Sequence, residues 1–178
     1  AVGRGVEVRV LMDDVGSGFF WQSALALLRH EKVPVASFLP TWIPSRLAHL
    51  NLRNHRKILT VDGHTAFTGG MNICSFHMLS MGSKRTCFDV HFKLSGPIVA
   101  QVQVAFRADW HFTTGEALYG PTWFPVLSEK GRVIARAIPD GPDEDFGKTR
   151  LTIIGALAHA RKSIRIMSPY FIPDAGLI

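Results

Sequence analysis

The stretch of sequence that decides the fold reads Asn51-Leu-Arg-Asn-His55-Arg-Lys57-Ile-Leu-Thr-Val-Asp62-Gly-His-Thr-Ala-Phe-Thr-Gly69-Gly70-Met-Asn72-Ile73. Residues 56–61 form an alternating run, which predicts a β-strand. Successive side chains of a strand point to opposite faces. His55 and Lys57 are therefore expected to share one face, so that an imidazole and an ammonium point the same way.

A hairpin is the simplest structure for the residues that follow. Asp62-Gly63 precedes a second β-prone run, Thr65–Thr68, and an Asp-Gly pair between two such runs favours a tight turn of type I′. Asp62 lies at the turn with the opposite parity to His55 and Lys57. Its carboxylate is therefore expected to bond turn amides.

The end of the second run suits an anion. Gly69 and Gly70 carry no side chains, which lets backbone N–H groups approach an anion, and Asn72 supplies an amide that either caps a short helix or donates to that anion. With His55 and Lys57, these groups predict a small concave cradle for a phosphate. It would contain a nucleophile or base, a fixed cation and amide donors.

The motif His55-x-Lys57-x4-Asp62, continued by Gly-x5-Gly-Gly-x-Asn72, resembles the signature of the phospholipase D superfamily. The flanking sequence, including Asp89-Val-His91, is similar to that of bacterial cardiolipin synthases. The short His-x-Lys part has little specificity, because the same spacing recurs at His91-Phe-Lys93 with Ile98 at the position of the aspartate. The specificity lies in the long motif with its Gly-Gly-x-Asn end.

The resemblance implies an α/β fold, a mixed β-sheet flanked by helices, which makes up one phospholipase D-like half-domain. Superfamily members with such flanks consist of two similar halves that meet at a shared cleft. On that pattern residues 1–138 are the first half without its first helix and strand, residues 139–148 are a linker, and residues 149–178 begin the second half. We expect the strand predicted at Ser163–Met167 to fill the vacant place in the sheet, in its own molecule or in a neighbour.

The resemblance also implies the chemistry. His55, Lys57 and Asp62 would be the catalytic positions, with His55 attacking phosphorus to form a phosphohistidine. Asn72 would bind the substrate phosphate with Lys57, beside Gly69 and Gly70. No metal and no cofactor is implied. A histidine of the other half would protonate the leaving alcohol and then activate the acceptor.

The implied activity is a phosphatidyltransferase that makes cardiolipin from two phosphatidylglycerols, on the cytoplasmic face of the bacterial inner membrane. The implied partners are anionic phospholipid, the membrane surface, and either a second half-domain or a homodimer partner. Nucleic acid is an unlikely ligand. Two alternatives stay open: a phospholipase D-type hydrolase or nuclease that acts as a single-motif homodimer, and an inactive module that binds anionic lipid.

Composition agrees with a globular protein that binds anions. The chain has 178 residues, 47% hydrophobic residues, a net charge of +6 and a pI near 9.7. It has no apolar run of about 18 residues, the length that suggests a membrane span. Trp42, between Pro40 and Pro44, has two equally open roles: insertion among lipid headgroups or burial in the core. Cys74 and Cys87 lack metal-ligand spacing, which favours reduced thiols.

Hydrophobic patterning predicts further elements. Strands at Gly5–Met12 and Val33–Leu39 would form a parallel pair around a helix that Ser17 caps and that carries Phe20, Ala24, Leu27 and Leu28. A helix from Pro97 to about Thr113 would bury Val99, Val102, Phe106 and Trp110. The other predicted elements are strands at Thr86–Leu94 and Gly131–Ile138, an irregular loop at Thr114–Lys130 and a helix at Thr149–Lys162.

Overall fold

The structure of the chain is a computed structural model that describes residues 1–13, 24–40, 54–74, 77–78, 80, 86–141, 147–168 and 173. In chain order these residues form β1 (Val10–Asp13), α1 (Ala24–His30), β2 (Val35–Phe38), β3 (Ile58–Val61), β4 (Thr65–Gly69), β5 (His91–Ser95), α2 (Ile98–Thr114) and α3 (Lys148–His159). A short 3-10 turn, Val2–Arg4, precedes β1.

The first two strands pair in parallel, with α1 between them in the chain. Their register runs from Val10 opposite Val35 to Asp13 opposite Phe38. The predicted parallel pair is confirmed. The predicted cap and first apolar residue of the helix between them lie outside the described residues.

The hairpin predicted from Asp62-Gly63 is present. β3 and β4 are antiparallel, from Ile58 opposite Thr68 to Val61 opposite Thr65. Asp62 and Gly63 both have positive φ, 52° and 62°, as a type I′ turn requires. A backbone hydrogen bond closes the turn: the His64 N–H donates to the Val61 carbonyl at 3.1 Å.

β5 completes an antiparallel sheet of three strands in the order β3-β4-β5, with Gly69 opposite His91 and Thr65 opposite Ser95. The strand predicted at Thr86–Leu94 therefore begins later, at His91. The α/β class is confirmed. Among the described residues the parallel and antiparallel pairs lie in two separate sheets, β1-β2 and β3-β4-β5.

Helix α2 packs on the three-stranded sheet and supplies the core. Val99 and Val102 are 0% and 5% exposed, and with the fully buried Ala66 of β4 they form the central cluster. Trp110 is also buried, and the half-buried Phe106 has its ring 6.1 Å from that of Trp110. The helix is therefore as predicted, and its apolar stripe is buried except at Phe106. Pro97 is the N-cap rather than the first helical residue, and Gly115, with φ of 74°, ends the helix.

The same helix also contacts the parallel sheet. The rings of Phe112 in α2 and Phe38 in β2 lie 5.7 Å apart. Beyond the helix, the Glu116 carboxylate accepts bonds from the Arg9 guanidinium, with Nε at 2.8 Å, and from the Trp110 indole at 2.8 Å. Bidentate pairing of this kind fixes geometry as well as charge. Helix α2 and Glu116, two residues beyond its end, thus connect both sheets.

The predicted strand at Gly131–Ile138 is wrong. Those residues form no strand, and Ile134 is 99% exposed. The predicted irregular loop at Thr114–Lys130 is confirmed from Gly115 onward, because Thr114 is the last residue of α2. Pro125 of this loop packs against Gly63 in the hairpin turn. The chain divides into two compact units, Ala1–Ala137 and Ile138–Ile178.

The second unit contains α3. It is the helix predicted at Thr149–Lys162, but it begins at Lys148 and ends at His159. The strand predicted at Ser163–Met167 is not formed: this segment pairs with no strand of the described residues, and Met167 is 91% exposed. Ile164 and Ile166 instead line a groove beside Leu157 of α3. The expectation that this segment fills a vacant place in a sheet, in its own molecule or in a neighbour, stays a prediction. Trp42 lies outside the described residues.

The hairpin turn offers a test of the fold. A Cβ at Gly63 would overlap the ring of Pro125, whereas one at Gly115 would meet nothing within 4 Å. Both glycines have positive φ, so alanine at either position incurs the left-handed penalty of roughly 1–2 kcal/mol. We expect Gly63→Ala to lower the free energy of unfolding by about 1–3 kcal/mol more than Gly115→Ala, since it also overpacks the turn. Denaturant unfolding of the two variants measures the difference, and equal losses would contradict the packing of Pro125 on the turn.

Candidate active site

The segment before β3 carries the two predicted reactive side chains. His55 is exposed and Lys57 is half-buried, and the Lys57 ammonium donates to the His55 carbonyl at 2.8 Å. Within β3 the even-numbered Ile58 packs against the core, while Leu59 and Val61 are 56% and 43% exposed. The alternation predicted from the sequence therefore holds in the strand that directly follows His55 and Lys57.

Burial and charge act on Lys57 in opposite directions. Desolvation by burial is the larger effect and lowers the pKa of the Lys57 ammonium, while the negative charges of Asp13 and Asp89 raise it. Asp13 is the last residue of β1, and Asp89 lies just before β5. The Lys57 ammonium therefore interacts with one carboxylate from the end of β1 and with another from the residues before β5.

Gly69 and Gly70 lie where β4 meets the start of β5. A Cβ at Gly70 would overlap the carboxylate of Asp89, and one at Gly69 would lie 2.8 Å from Nδ1 of His91. The Gly70 N–H donates to the Val90 carbonyl at 3.1 Å. Gly69 therefore needs glycine because the backbone of Val90 and His91 approaches closely, whereas the neighbour of Gly70 is the end of the Asp89 side chain. The Gly70 N–H therefore already has a backbone partner in this structure. The role of Gly69 and Gly70 in binding a phosphate stays a prediction.

Asn72 and Asp62 differ in how far they approach this corner. Asn72 lies two positions after Gly70 and is exposed. Its backbone N–H donates to Nδ1 of His77 at 2.8 Å. Asp62 lies in the turn at the other end of β3 from Lys57. Its exposed carboxylate makes no hydrogen bond within the described residues, so its predicted bonds to turn amides are absent and its contribution to the turn is its positive φ.

Two residues after Asp89, His91 begins β5 and is partly buried. Its Nδ1 is buried and has no hydrogen-bond partner in the part of the chain that the structure describes. The interpretation of His91 as a partly buried strand residue agrees with this placement. That it lines a cleft stays a prediction.

A link to α2 was not foreseen from the sequence. The carboxylate of Asp109 accepts bonds from Asn54 and Arg56, the two neighbours of His55. The polarity of Asn54 and Arg56, at positions whose parity matches the half-buried Ile58, is the signal that could have indicated a polar partner on that side. The sequence alone did not identify that partner.

The described part of the chain has neither a metal site nor a membrane helix. No group of three or more His, Cys, Asp or Glu side chains there could hold a metal ion. None of the helices in these ranges has the length and apolar character that a membrane crossing requires. Cys74 and Cys87 form no disulfide.

The sequence matches a family model described as "Cardiolipin synthase, PLD-like domain" over residues 1–110. The chain therefore belongs to this family of phospholipase D-like domains. It is 37% identical to a cardiolipin synthase of Alkalihalophilus pseudofirmus over 177 residues and 33% identical to one of Geobacillus kaustophilus over 181 residues. It is also 31% identical to a cardiolipin synthase of Staphylococcus aureus over 177 residues.

Each of these alignments covers 98% of the chain, but the chain spans only 35% to 36% of the length of these relatives. Membership of the family is thus shown for a domain rather than for a whole protein. No solved structure matches the chain.

The opposing influences on Lys57 give a prediction. Because the charge of Asp89 raises the pKa of the Lys57 ammonium, we expect Asp89→Asn to lower that pKa further below 10.5, the ordinary value for lysine. A titration of the Lys57 side-chain NMR signal measures the change. Asp62→Asn is the matched control: it removes a carboxylate at the far end of the same hairpin and is expected to leave the pKa unchanged. An unchanged pKa in Asp89→Asn would show that this carboxylate does not face Lys57.

Proposed function

We propose that the protein containing this chain is a phosphatidyltransferase that forms cardiolipin from two molecules of phosphatidylglycerol. The observation that carries the proposal is the arrangement at Lys57. A half-buried ammonium is bonded to the backbone of His55 and shares the neighbour Asp89 with the Gly70 corner. Membership in the cardiolipin synthase family supports the reaction class, and the printed names of the relatives support the product.

A phosphodiester resists attack because its negative charge repels nucleophiles. A fixed cation that is partly shielded from water counters that charge more strongly than the same cation in bulk solvent. Lys57 meets this requirement, and the charges of Asp13 and Asp89 favour its protonated form. In the proposal, the Lys57 ammonium exchanges its bond with the neutral His55 carbonyl for a bond to an anionic phosphate oxygen.

The transfer takes two displacements at phosphorus. The neutral imidazole of His55 forms a nitrogen–phosphorus bond, and the bond from phosphorus to the glycerol headgroup breaks. A proton from a general acid makes the leaving group neutral glycerol. The hydroxyl of a second phosphatidylglycerol then forms its bond to phosphorus as the phosphorus–His55 bond breaks, and the general acid regains its proton. The products are cardiolipin and glycerol.

The general acid is proposed to be a histidine from outside this chain, because the chain contains one complete motif. It would come from a second half-domain or from a second copy of the chain. Asn72 would add an amide donor to the phosphate. The proposed substrate is anionic and resides in a membrane, which agrees with the net charge of +6. The proposed location is the cytoplasmic face of the bacterial inner membrane.

Lys57→Ala in the full-length protein tests the assignment. We expect it to lower cardiolipin formation from phosphatidylglycerol vesicles by about 100- to 1,000-fold, the usual effect of removing one group that stabilises a developing oxyanion. Mass spectrometry of the lipids measures the product. Lys93→Ala is the matched control, since Lys93 belongs to the other His-x-Lys pair and is exposed on β5. It should leave turnover unchanged.

His55 has its own readout. The wild type, quenched during turnover, should carry a phosphatidyl group on His55 through a nitrogen–phosphorus bond that is stable in base and cleaved by acid, and His55→Ala should carry none. Release of phosphatidic acid in place of cardiolipin would favour the hydrolase alternative. Vesicle binding that is the same in His55→Ala, with no covalent adduct in the wild type, would favour the inactive lipid-binding module.

A further inference from the structure

The segment that carries His55 is held from the side of helix α2 by a single carboxylate. The Asn54 amide nitrogen donates to Oδ2 of Asp109 at 2.8 Å. The Arg56 Nη1 donates to both carboxylate oxygens of Asp109, at 2.5 and 2.6 Å. Asp109 therefore binds the residue before His55 and the residue after it.

The three side chains form a closed set of bonds. The Arg56 backbone N–H donates to the Asn54 side-chain oxygen at 3.1 Å. Both ends of the Asn54 amide are thus used, which fixes its orientation. The side chains of Arg56 and Asp109 are only 27% and 14% exposed, so water and salt screen their attraction less than at a surface pair. Asp109 thereby constrains the backbone on both sides of His55.

Asp109 is itself fixed by the core of the domain. It lies in α2 directly before the buried Trp110, and the Thr113 hydroxyl donates to the Asp109 carbonyl at 2.7 Å. The preceding turns of the same helix bury Val99 and Val102 against the three-stranded sheet. One carboxylate therefore ties the His55 segment to the core that α2 forms with the three-stranded sheet.

We infer that Asp109 is a positioning residue for His55, and that it acts through Asn54 and Arg56 rather than by touching the substrate. This inference rests on the proposed role of His55 as the nucleophile. A nucleophile must be held close to its line of attack, and a displacement of about 1 Å costs on the order of 100-fold in rate. The exposed imidazole of His55 has no such anchor of its own within the described ranges, so the bonds of its two neighbours set the backbone from which it projects.

The test compares two variants in the full-length protein, each of which neutralises one carboxylate paired with arginine. Asp109→Asn weakens the anchor of the His55 segment. Glu116→Gln weakens the bidentate pair with Arg9, which contacts neither neighbour of His55. We expect Asp109→Asn to lower kcat by about 100-fold with KM little changed. Glu116→Gln should keep kcat within about threefold of the wild type. Equal losses of kcat in the two variants would overturn the inference, because the effect would then follow stability alone.

A double-mutant cycle separates positioning from a general structural role. If Asp109 acts through Asn54, the variant Asn54→Ala with Asp109→Asn should lose no more kcat than Asp109→Asn alone, whereas independent effects would multiply. Asn54→Ala also serves as the second variant if Asp109→Asn does not fold, and it should then lower kcat with KM little changed. Multiplicative losses, or full activity of Asn54→Ala, would contradict the inference.

Amide hydrogen exchange keeps this inference distinct from the proposed function. In Asp109→Asn, exchange of the Arg56 amide should be at least tenfold faster, while amides in the β4–β5 ladder stay protected. If the wild type makes no cardiolipin, but the Arg56 amide exchanges faster in Asp109→Asn than in the wild type, the proposed function fails and the anchor stands. If cardiolipin forms and neither exchange nor kcat changes in Asp109→Asn, the anchor fails and the proposed function stands.

Discussion

The contact between Ala66 and helix α2 is the constraint on which the rest of the first unit depends. Ala66 of β4 and Val99 of α2 are both fully buried, and the small alanine side chain lets the helix approach the sheet closely. Because side chains alternate along a strand, burying this face also fixes which residues of β3 face the helix. Ile58 packs inward, and the residues of opposite parity are left for the other face.

That division extends beyond the start of the strand. Asn54 and Arg56 have the parity of Ile58, and both bond to Asp109 on the helix. Lys57 has the opposite parity, and the charges that act on it come from the end of β1 and from the residues before β5. One helix–sheet contact thus separates two kinds of residue within the same short segment. The neighbours of His55 serve the framework, and Lys57 serves the candidate site.

Local patterns in the sequence were sufficient where neighbouring residues determine the structure. The Asp62-Gly63 hairpin and helix α2 were predicted because turn chemistry and helical periodicity are local properties. The strands predicted at Gly131–Ile138 and Ser163–Met167 failed because alternation indicates only that a segment could form a strand. A strand also needs a partner, and neither segment has one among the described residues.

The candidate site shows the same limit of local patterns. Its residue types were evident, but the Asp89 carboxylate that lies against Gly70 is distant in sequence. Asp109 was missed for a similar reason, because a hydrogen bond between residues 53 positions apart leaves no local pattern.

The different chemistry of arginine and lysine explains why two adjacent cations have separate roles. One guanidinium nitrogen of Arg56 donates to both oxygens of the Asp109 carboxylate, and a guanidinium keeps its charge, which suits a permanent anchor. The ammonium of Lys57 is a compact charge on a flexible stem, and its present acceptor is a neutral carbonyl. A phosphate oxygen carries negative charge and is a stronger acceptor, which favours the exchange of partner that the proposed reaction requires. Interchanging the two residues would place a rigid guanidinium where a partner must be exchanged. It would also place a flexible lysine side chain where the His55 segment must be held.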